Sequence, residues 1–353
     1  MTGTDVANLR LRTQHLARPA TMSPAALVAQ LGAVQSQDYG GAKWALGQRL
    51  AGANDALIEQ AFHDGAILRT HVMRPTWHFV APGDIRWLLA LTAPRVHRFL
   101  AYYNRQLGLD EAVFARSNAV LERALAGGGQ LTRTELKSEF EQAGIATDGT
   151  QRLAHLVMHA ELEGILCSGP RRGKQFTYML LEERVPPAPP MTRDEALATL
   201  VHRYFTSHGP ATPQDFAWWS GLTIADAQRG IHDCGAALRP AEMSGRNWWL
   251  SSEPPPDLES PHAAHMLPNY DEYTVSYRSH EGVFDVVNAD RLLFNHILLL
   301  HGRVAGTWKR TLAKRSVLVE TDTFAPLTAD ERLAVAAAAE RYGAFLGLPV
   351  ALA

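Results

Sequence analysis

The chain has 353 residues, which at roughly 100–200 residues per domain means two or three domains. Hydrophobic residues make up 46% and charged residues 20%, a globular balance that excludes collagen, coiled-coil and wholly disordered readings. The formal charge of −2, from 34 Lys+Arg against 36 Asp+Glu, excludes a chain that coats nucleic acid over its whole surface. It leaves room for a basic groove on an acidic body.

No apolar run approaches the ~20 residues that a membrane helix needs. The opening stretch has no apolar core of the secretory type, so the expected compartment is the cytoplasm. Two cysteines, Cys167 and Cys234, are too few for a disulfide framework or a four-cysteine zinc site.

In chain order, helices are expected over residues 23–31, 42–50 and 55–64, the last ending at Gly65. A hairpin follows, with strands 67–72 and 77–80 around a turn at Met73-Arg74-Pro75. Residues 84–126 read as a helical block closed by Gly127-Gly128-Gly129. Next, Thr132 caps a helix over 135–143 that stops at Gly144. A second helix over 150–163 carries Leu153, Leu156, Val157 and Ala160 at helical spacing and stops at Gly164. Strand 165–167, a basic tip at 169–174 and a return strand 175–181 complete the unit. Helix, turn, helix and a hairpin with a basic tip is the order of a winged helix. Pro186 to Pro190 form a stiff linker.

The order then recurs. Helix 196–207 leads to Thr212, which caps a helix over 213–220 with Pro213 at its first position. Helix 224–232 precedes strands around Leu238 and over 248–250. Each of the pairs Trp218-Trp219 and Trp248-Trp249 should send one ring into the core, since neighbours on an element face differently. Pro254-Pro255-Pro256 reads as a second linker. Beyond it, residues 262–277 are polar and aromatic, strands are expected over 291–300, 303–309 and 316–323, and an Ala-rich helix spans 327–346. The expected fold is therefore α+β, mainly α, with three tandem winged-helix units and a C-terminal β-rich region. The expected boundaries are 1–126 for the first unit with the helical block, 127–190, 191–256 and 257–353.

Winged helices present a helix to a groove and a wing to phosphates, so clustered cations point to DNA. Arg171, Arg172 and Lys174 sit on the middle wing, and Arg303, Lys309, Arg310, Lys314 and Arg315 fall in one short C-terminal stretch. A solvated charged face is the alternative for each cluster taken alone. Metal chemistry has little support. His155 and His159 share a helix face but show no third ligand, and His262 and His265 fare no better. No phosphate-cradling loop and no GxSxG motif occurs, so neither cofactor nor metal is expected.

One segment stands apart: Val34-Gln35-Ser36-Gln37-Asp38-Tyr39-Gly40-Gly41. On extended backbone, positions i and i+2 point the same way, so Gln35 and Gln37 can converge on one small object such as a water. The same residues also suit helix capping or a surface loop. Asp38 is a further carboxylate, set by that alternation to face away from the glutamines.

This segment, together with Met73–Val80 (MRPTWHFV), Leu267–Tyr273 (LPNYDEY) with Tyr277-Arg278, and Gly302–Trp308 (GRVAGTW), resembles the winged-helix DNA glycosylases that excise alkylated purines. That superfamily includes azinomycin-resistance and interstrand-crosslink glycosylases, and the resemblance spans nearly the whole chain. It implies three winged helices around a concave DNA-binding channel, and a catalytic Gln-x-Gln pair falling on Gln35 and Gln37. Ser36 stands where that motif usually has an aliphatic residue. The resemblance further implies a monomer acting on double-stranded DNA with alkylated purines, with no membrane and no obligate protein partner, in a nucleoid-associated setting. Arg74, in the hairpin turn, is then a candidate probe of the duplex, and Arg278 a candidate DNA contact. His78 suits either a packed strand position or a site role. The implied activity is monofunctional, metal-independent hydrolysis of the N-glycosidic bond of N7-alkylated, cationic purines, in repair of alkylation or self-resistance to it. The alternatives are a non-catalytic winged-helix DNA-binding protein, either a regulator or a lesion sequesterer, and a protein-contact scaffold.

Overall fold

The computed structural model describes residues 1–149, 151–243, 245–253, 263–279, 283 and 295–353. It opens with a helix that the sequence reading left unassigned, α1 (Gly3–Thr13), closed at its start by a reciprocal Thr2/Asp5 capping box. Then come α2 (Pro24–Leu31), β1 (Val34–Gln35), α3 (Tyr39–Gly47), α4 (Asp55–His63) and the hairpin β2 (Leu68–Val72) and β3 (Arg74–Val80). The three strands order as β1-β3-β2. Two expectations shift here. α3 begins earlier than residue 42 because the Asp38 carboxylate accepts the Gly41 N–H and caps it. The hairpin closes on Met73 alone, at φ 65, so Arg74 opens the return strand instead of sitting in a three-residue turn.

The expected helical block is two helices, α5 (Ile85–Gln106) and α6 (Glu111–Leu125), with Asp110 capping the second. β4 (Leu131–Thr132), α7 (Arg133–Gln142), α8 (Arg152–Leu162), β5 (Leu166–Ser168) and β6 (Thr177–Leu180) follow, in sheet order β4-β6-β5. A single turn, α9 (Leu181–Arg184), precedes the Pro186–Pro190 connection, which is irregular as its prolines require. Next are α10 (Arg193–Ser207), α11 (Pro213–Ser220), α12 (Ile224–Cys234) and the hairpin β7 (Leu238–Met243) and β8 (Arg246–Ser251). Ala211 bridges to Trp249 where the other two units have a third strand. The order helix, strand or bridge, helix, helix, hairpin is thus met three times. Thr132/Glu135, Thr192/Glu195, Thr212/Asp215 and Thr223/Asp226 form capping boxes at the helix starts. Each cap contributes about 0.5–2 kcal/mol. Trp219 and Trp248 are buried, while Trp218 is exposed and Trp249 partly buried.

The C-terminal part contains β9 (Ala264–Leu267), α13 (Glu272–Val275), β10 (Ile297–Leu300), β11 (Arg303–Leu312), β12 (Val317–Thr323), α14 (Ala329–Leu346) and β13 (Val350–Leu352). The sheet order is β13-β12-β11-β10-β9, with only β12 and β13 parallel. β9 and β13 had no counterpart in the sequence reading. The linker expected at Pro254–Pro256, His262, and the first part of the expected strand 291–300 lie outside the described residues.

The fold is α+β and mainly helical, but its cores do not follow the sequence boundaries. Leu27, Val28, Phe62 and Phe79 share a core with Met266, Leu298, Trp308 and Tyr342, so the C-terminal sheet packs into the first unit. Leu68, Val72 and Leu88 share another with Leu197, Tyr204 and Trp219 of the third unit. α6 packs with α7 and α8 through Phe114, Leu121, Leu136, Phe140 and Leu156, so the boundary expected at 126 runs along one core. The first unit is therefore held from both sides, and β1 lies where the first, third and C-terminal parts meet.

Candidate active site

Gln35 ends β1, directly opposite His78 in the register with β3. Its backbone N–H donates to Glu272 Oε1 at 2.7 Å. Its side-chain Oε1 accepts from Arg74 Nη2 at 3.0 Å. Gln35 is buried, and both its backbone and its amide are tied down. The extended path continues one residue further: Ser36 N–H donates to the Trp77 carbonyl at 2.8 Å, and its own carbonyl accepts from Arg69 Nε at 3.2 Å. Gln37 then emerges to solvent. Asp38 is occupied by the α3 cap and lies 3.6 Å from Arg310.

Glu272, at the first position of α13, is the anchor that the sequence reading missed. It is 1% exposed. Besides the Gln35 N–H, it accepts Trp219 Nε1–H at 3.0 Å and the Ser276 hydroxyl, and His208 Nε2 stands 3.5 Å away. Burial pushes its pKa up, but His208, Ser276 and the Gln35 N–H outweigh this and hold it down at about 2. Glu272 is therefore a buried anion beneath the end of β1. The neighbouring Asp271 takes a bidentate hold from Arg49, at 2.6 and 2.8 Å, and caps α13. The Leu267–Tyr273 stretch was visible in sequence, but nothing there named Gln35 as its partner.

Arg74 does not reach outwards. Its guanidinium turns back onto Gln35, and burial lowers its pKa against the opposing charge of Glu272. Arg74, expected in the hairpin turn as a duplex probe, stands instead at the start of β3 with its guanidinium against Gln35. His78 is fully buried, and its Nδ1 lies 3.0 Å from the Thr76 carbonyl. Burial and the Arg74 charge push its pKa down to about 3, so it is a neutral, packed histidine.

The structure distributes the other cations unevenly. Arg310 on β11 contacts Tyr342 Oη at 3.0 Å and faces Asp38, beside Gln37. Arg171 is paired with Glu59 at 3.1 Å and lies over the ring of Tyr39, two residues after Gln37. Arg172 is held by Glu135 and the Gln130 carbonyl, both at 2.7 Å. Lys174 borders a cleft with Arg69, Trp77, Arg133 and Phe176. Arg278 is exposed beside Trp218, with its N–H on Asp215. Lys309 is exposed on β11. Arg303 starts the same strand, roughly 23 Å from Arg310 at the usual strand rise, so the C-terminal cluster is not one patch.

Three comparisons bear on this arrangement. The solved structure of Streptomyces sahachiroi DNA glycosylase AlkZ superposes with a TM-score of 0.77, covering 100% of both chains at 21% identity, and so shares the fold. A curated relative, the interstrand DNA cross-link repair glycosylase of Streptomyces sahachiroi, is 24% identical over 325 residues, 85% of each chain. The family described as "DNA glycosylase AlkZ-like" matches residues 28–345, a span that contains both glutamines and Glu272. The chain belongs to the AlkZ-like DNA glycosylases.

Proposed function

We propose that this enzyme hydrolyses the N-glycosidic bond of N7-alkylated purines in double-stranded DNA, with Gln35 and Gln37 as the catalytic pair. The observation that carries the reading is Gln35 itself: a neutral amide locked by an anion on its backbone and a cation on its side chain, next to an exposed second glutamine. An amide is neither acid nor base near neutral pH. Alkylation at N7 makes the base cationic, so it departs neutral and needs little acid help. The sugar passes towards an oxocarbenium-like cation, and the protein has only to hold a water near C1′ and turn carbonyl dipoles towards the charge. Arg74 takes one lone pair of Gln35 Oε1 and fixes the amide orientation, leaving a second lone pair and the amide N–H groups. No step requires a metal.

In this reading the three repeated units are winged helices set about a concave channel, and the enzyme works as a monomer on nucleoid DNA in the cytoplasm. Arg171, Arg172, Lys174, Arg278, Arg303, Lys309 and Arg310 are the candidate phosphate contacts. An open channel suits bulky or crosslinked lesions, which could not be extruded into a closed pocket. Such a role fits repair of, or self-resistance to, an alkylating agent. The relative named for interstrand cross-link repair supports that setting.

The test is single-turnover incubation with a duplex carrying one N7-methylguanine, followed by mild alkali to cut abasic sites. Strand cleavage that disappears in the Gln35→Ala, Gln37→Ala double variant is the expected result. Binding without abasic sites, on this duplex and on one carrying a bulkier N7 adduct, would instead identify a lesion-binding protein without activity.

A further inference from the structure

The spacing of His155 and His159 along α8 offered two metal ligands and no third. The structure separates the two. His155 Nδ1 is engaged with Asn104 Oδ1 at 2.6 Å. His159 turns instead to His97 of α5 and to Glu163, four residues further on at the end of α8. His97 Nε2 lies 2.8 Å from Glu163 Oε1, and His159 Nε2 lies 4.0 Å from the same oxygen. One potential ligand atom from each of the three residues lies within 4.8 Å of the others.

We propose that His97, His159 and Glu163 form a binding site for a divalent cation of the Zn²⁺ class, clamping α5 to α8. The donor set is right for such an ion, since two imidazoles and a carboxylate suit Zn²⁺ and leave a fourth position for water. The distances suit it too. With bonds of about 2.0–2.1 Å, tetrahedral ligands stand about 3.3 Å apart, and the separations of 2.8 and 4.0 Å bracket that value. The histidines are prepared for it. His97 Nε2 is buried and approaches Glu163 without the alignment of a hydrogen bond, and His159 Nδ1 makes none among the described residues. His159 stacks flat on Phe114, with centroids 3.7 Å apart, so its ring direction is set.

A cleft of about 380 Å³, lined by Arg86, Pro94, His97 and Glu163 among others, borders two of the three residues. Arg86 does not oppose the ion directly, because Glu182 and the Val185 carbonyl hold it. None of the three ligands belongs to the Gln35 site, so the ion would take no part in the chemistry proposed there. α5 packs against β2 of the first unit and α8 belongs to the second core, so the clamp fixes one unit against the other.

The experiment uses the full chain, stripped with a chelator, dialysed, and titrated with Zn²⁺ by calorimetry and with Co²⁺ by visible absorption. Expected are one site per chain and a Tm rise of about 5 °C at a hundredfold excess over Kd. His97→Ala and Glu163→Gln should each weaken binding at least tenfold, with His155→Ala unchanged. Glu163 is half exposed, so its variant should fold normally and keep the test decisive. Equal Zn²⁺ binding by the wild-type chain and Glu163→Gln would overturn the proposal, as would an equal loss in His155→Ala.

Discussion

Gln35 and Glu272 are 237 positions apart, yet the backbone N–H of one is held 2.7 Å from the carboxylate of the other. Trp219, from the third repeated unit, donates to the same carboxylate. One buried anion therefore joins β1, α11 and α13 beneath the proposed catalytic residue. Placement of the Gln35 amide depends on three parts of the chain packing correctly together.

Glu272→Gln should accordingly damage stability and rate together. Both carboxylate oxygens receive donors, so an amide NH₂ in either place sets donor against donor. Leaving such a buried group mismatched costs about 2–4 kcal/mol, measurable by urea unfolding at pH 7. The excision rate should fall at least tenfold, because the end of β1 loses its anchor. The pH dependence has a definite sign. The folded-state pKa of Glu272, about 2, lies below its ordinary 4.5. The unfolded chain therefore binds more protons between those values, and stability falls as pH drops through that window. The wild-type chain should lose on the order of 3 kcal/mol more than Glu272→Gln between pH 5 and pH 2. Parallel pH profiles for the two would show that Glu272 is not held ionised.

Arg74 separates two roles by experiment. As a support for Gln35 it should matter to rate and not to DNA affinity. Arg74→Ala is expected to slow excision about tenfold to a hundredfold, within the range for removing an oriented dipole. The slope of log affinity against log salt should stay the same. A phosphate contact would behave differently, its loss reducing that slope by about 0.9. A flattened slope with an unchanged single-turnover rate would return Arg74 to the DNA surface.

What could be read from sequence divides along a physical line. Local signals carried through: Thr212 with Pro213 starts a helix where expected, and Thr132 caps one that begins at Arg133, two residues before the expected start, because capping acts within one turn. The second repeated unit is the clearest, since its helices end at Gly144 and Gly164, both at positive φ. The hairpin turn misled because Met73 takes a left-handed conformation without being glycine, and so gives no turn signal. Glu272 and the His97–His159–Glu163 trio were invisible for another reason. Their partners come from distant helices, and no spacing rule reaches across 237 residues, or from α5 to α8. Gln35 and Gln37 were singled out by type and alternation, but the tight hold on one and the exposure of the other follow from tertiary packing alone.

The cations should also sort by measurement. Lys174 and Lys309 are exposed, whereas Arg171 is enclosed by Glu59, Tyr39 and Phe176. A Lys174→Ala, Lys309→Ala variant should weaken DNA binding at low salt and lower the salt slope by up to about 1.8. Its Tm should match the wild-type value, since exposed charges contribute little to folding. Arg171→Ala should lower Tm as well, because Glu59 and Tyr39 lose their partner. A Tm loss in the lysine variant without any change in slope would remove both lysines from the proposed DNA surface.

Ser36 offers a test of the packing behind the proposed catalytic pair. It is fully buried between Gln35 and Gln37, and its hydroxyl has no hydrogen-bond partner among the described residues. Only its backbone is used, on Trp77 and Arg69. A buried hydroxyl left unpaired costs about 1–3 kcal/mol, and removing it recovers part of that. Ser36→Ala is therefore expected to raise stability by about 1 kcal/mol in urea unfolding while leaving the excision rate within about twofold. A larger residue tests the space available: Ser36→Val replaces the hydroxyl with a methyl and adds one more in a closed site, and should either fill a gap or strain β1. A Ser36→Ala chain that is less stable and slower than wild type would mean that the hydroxyl itself supports the pair, making Ser36 part of the site and not a substitute for an aliphatic residue.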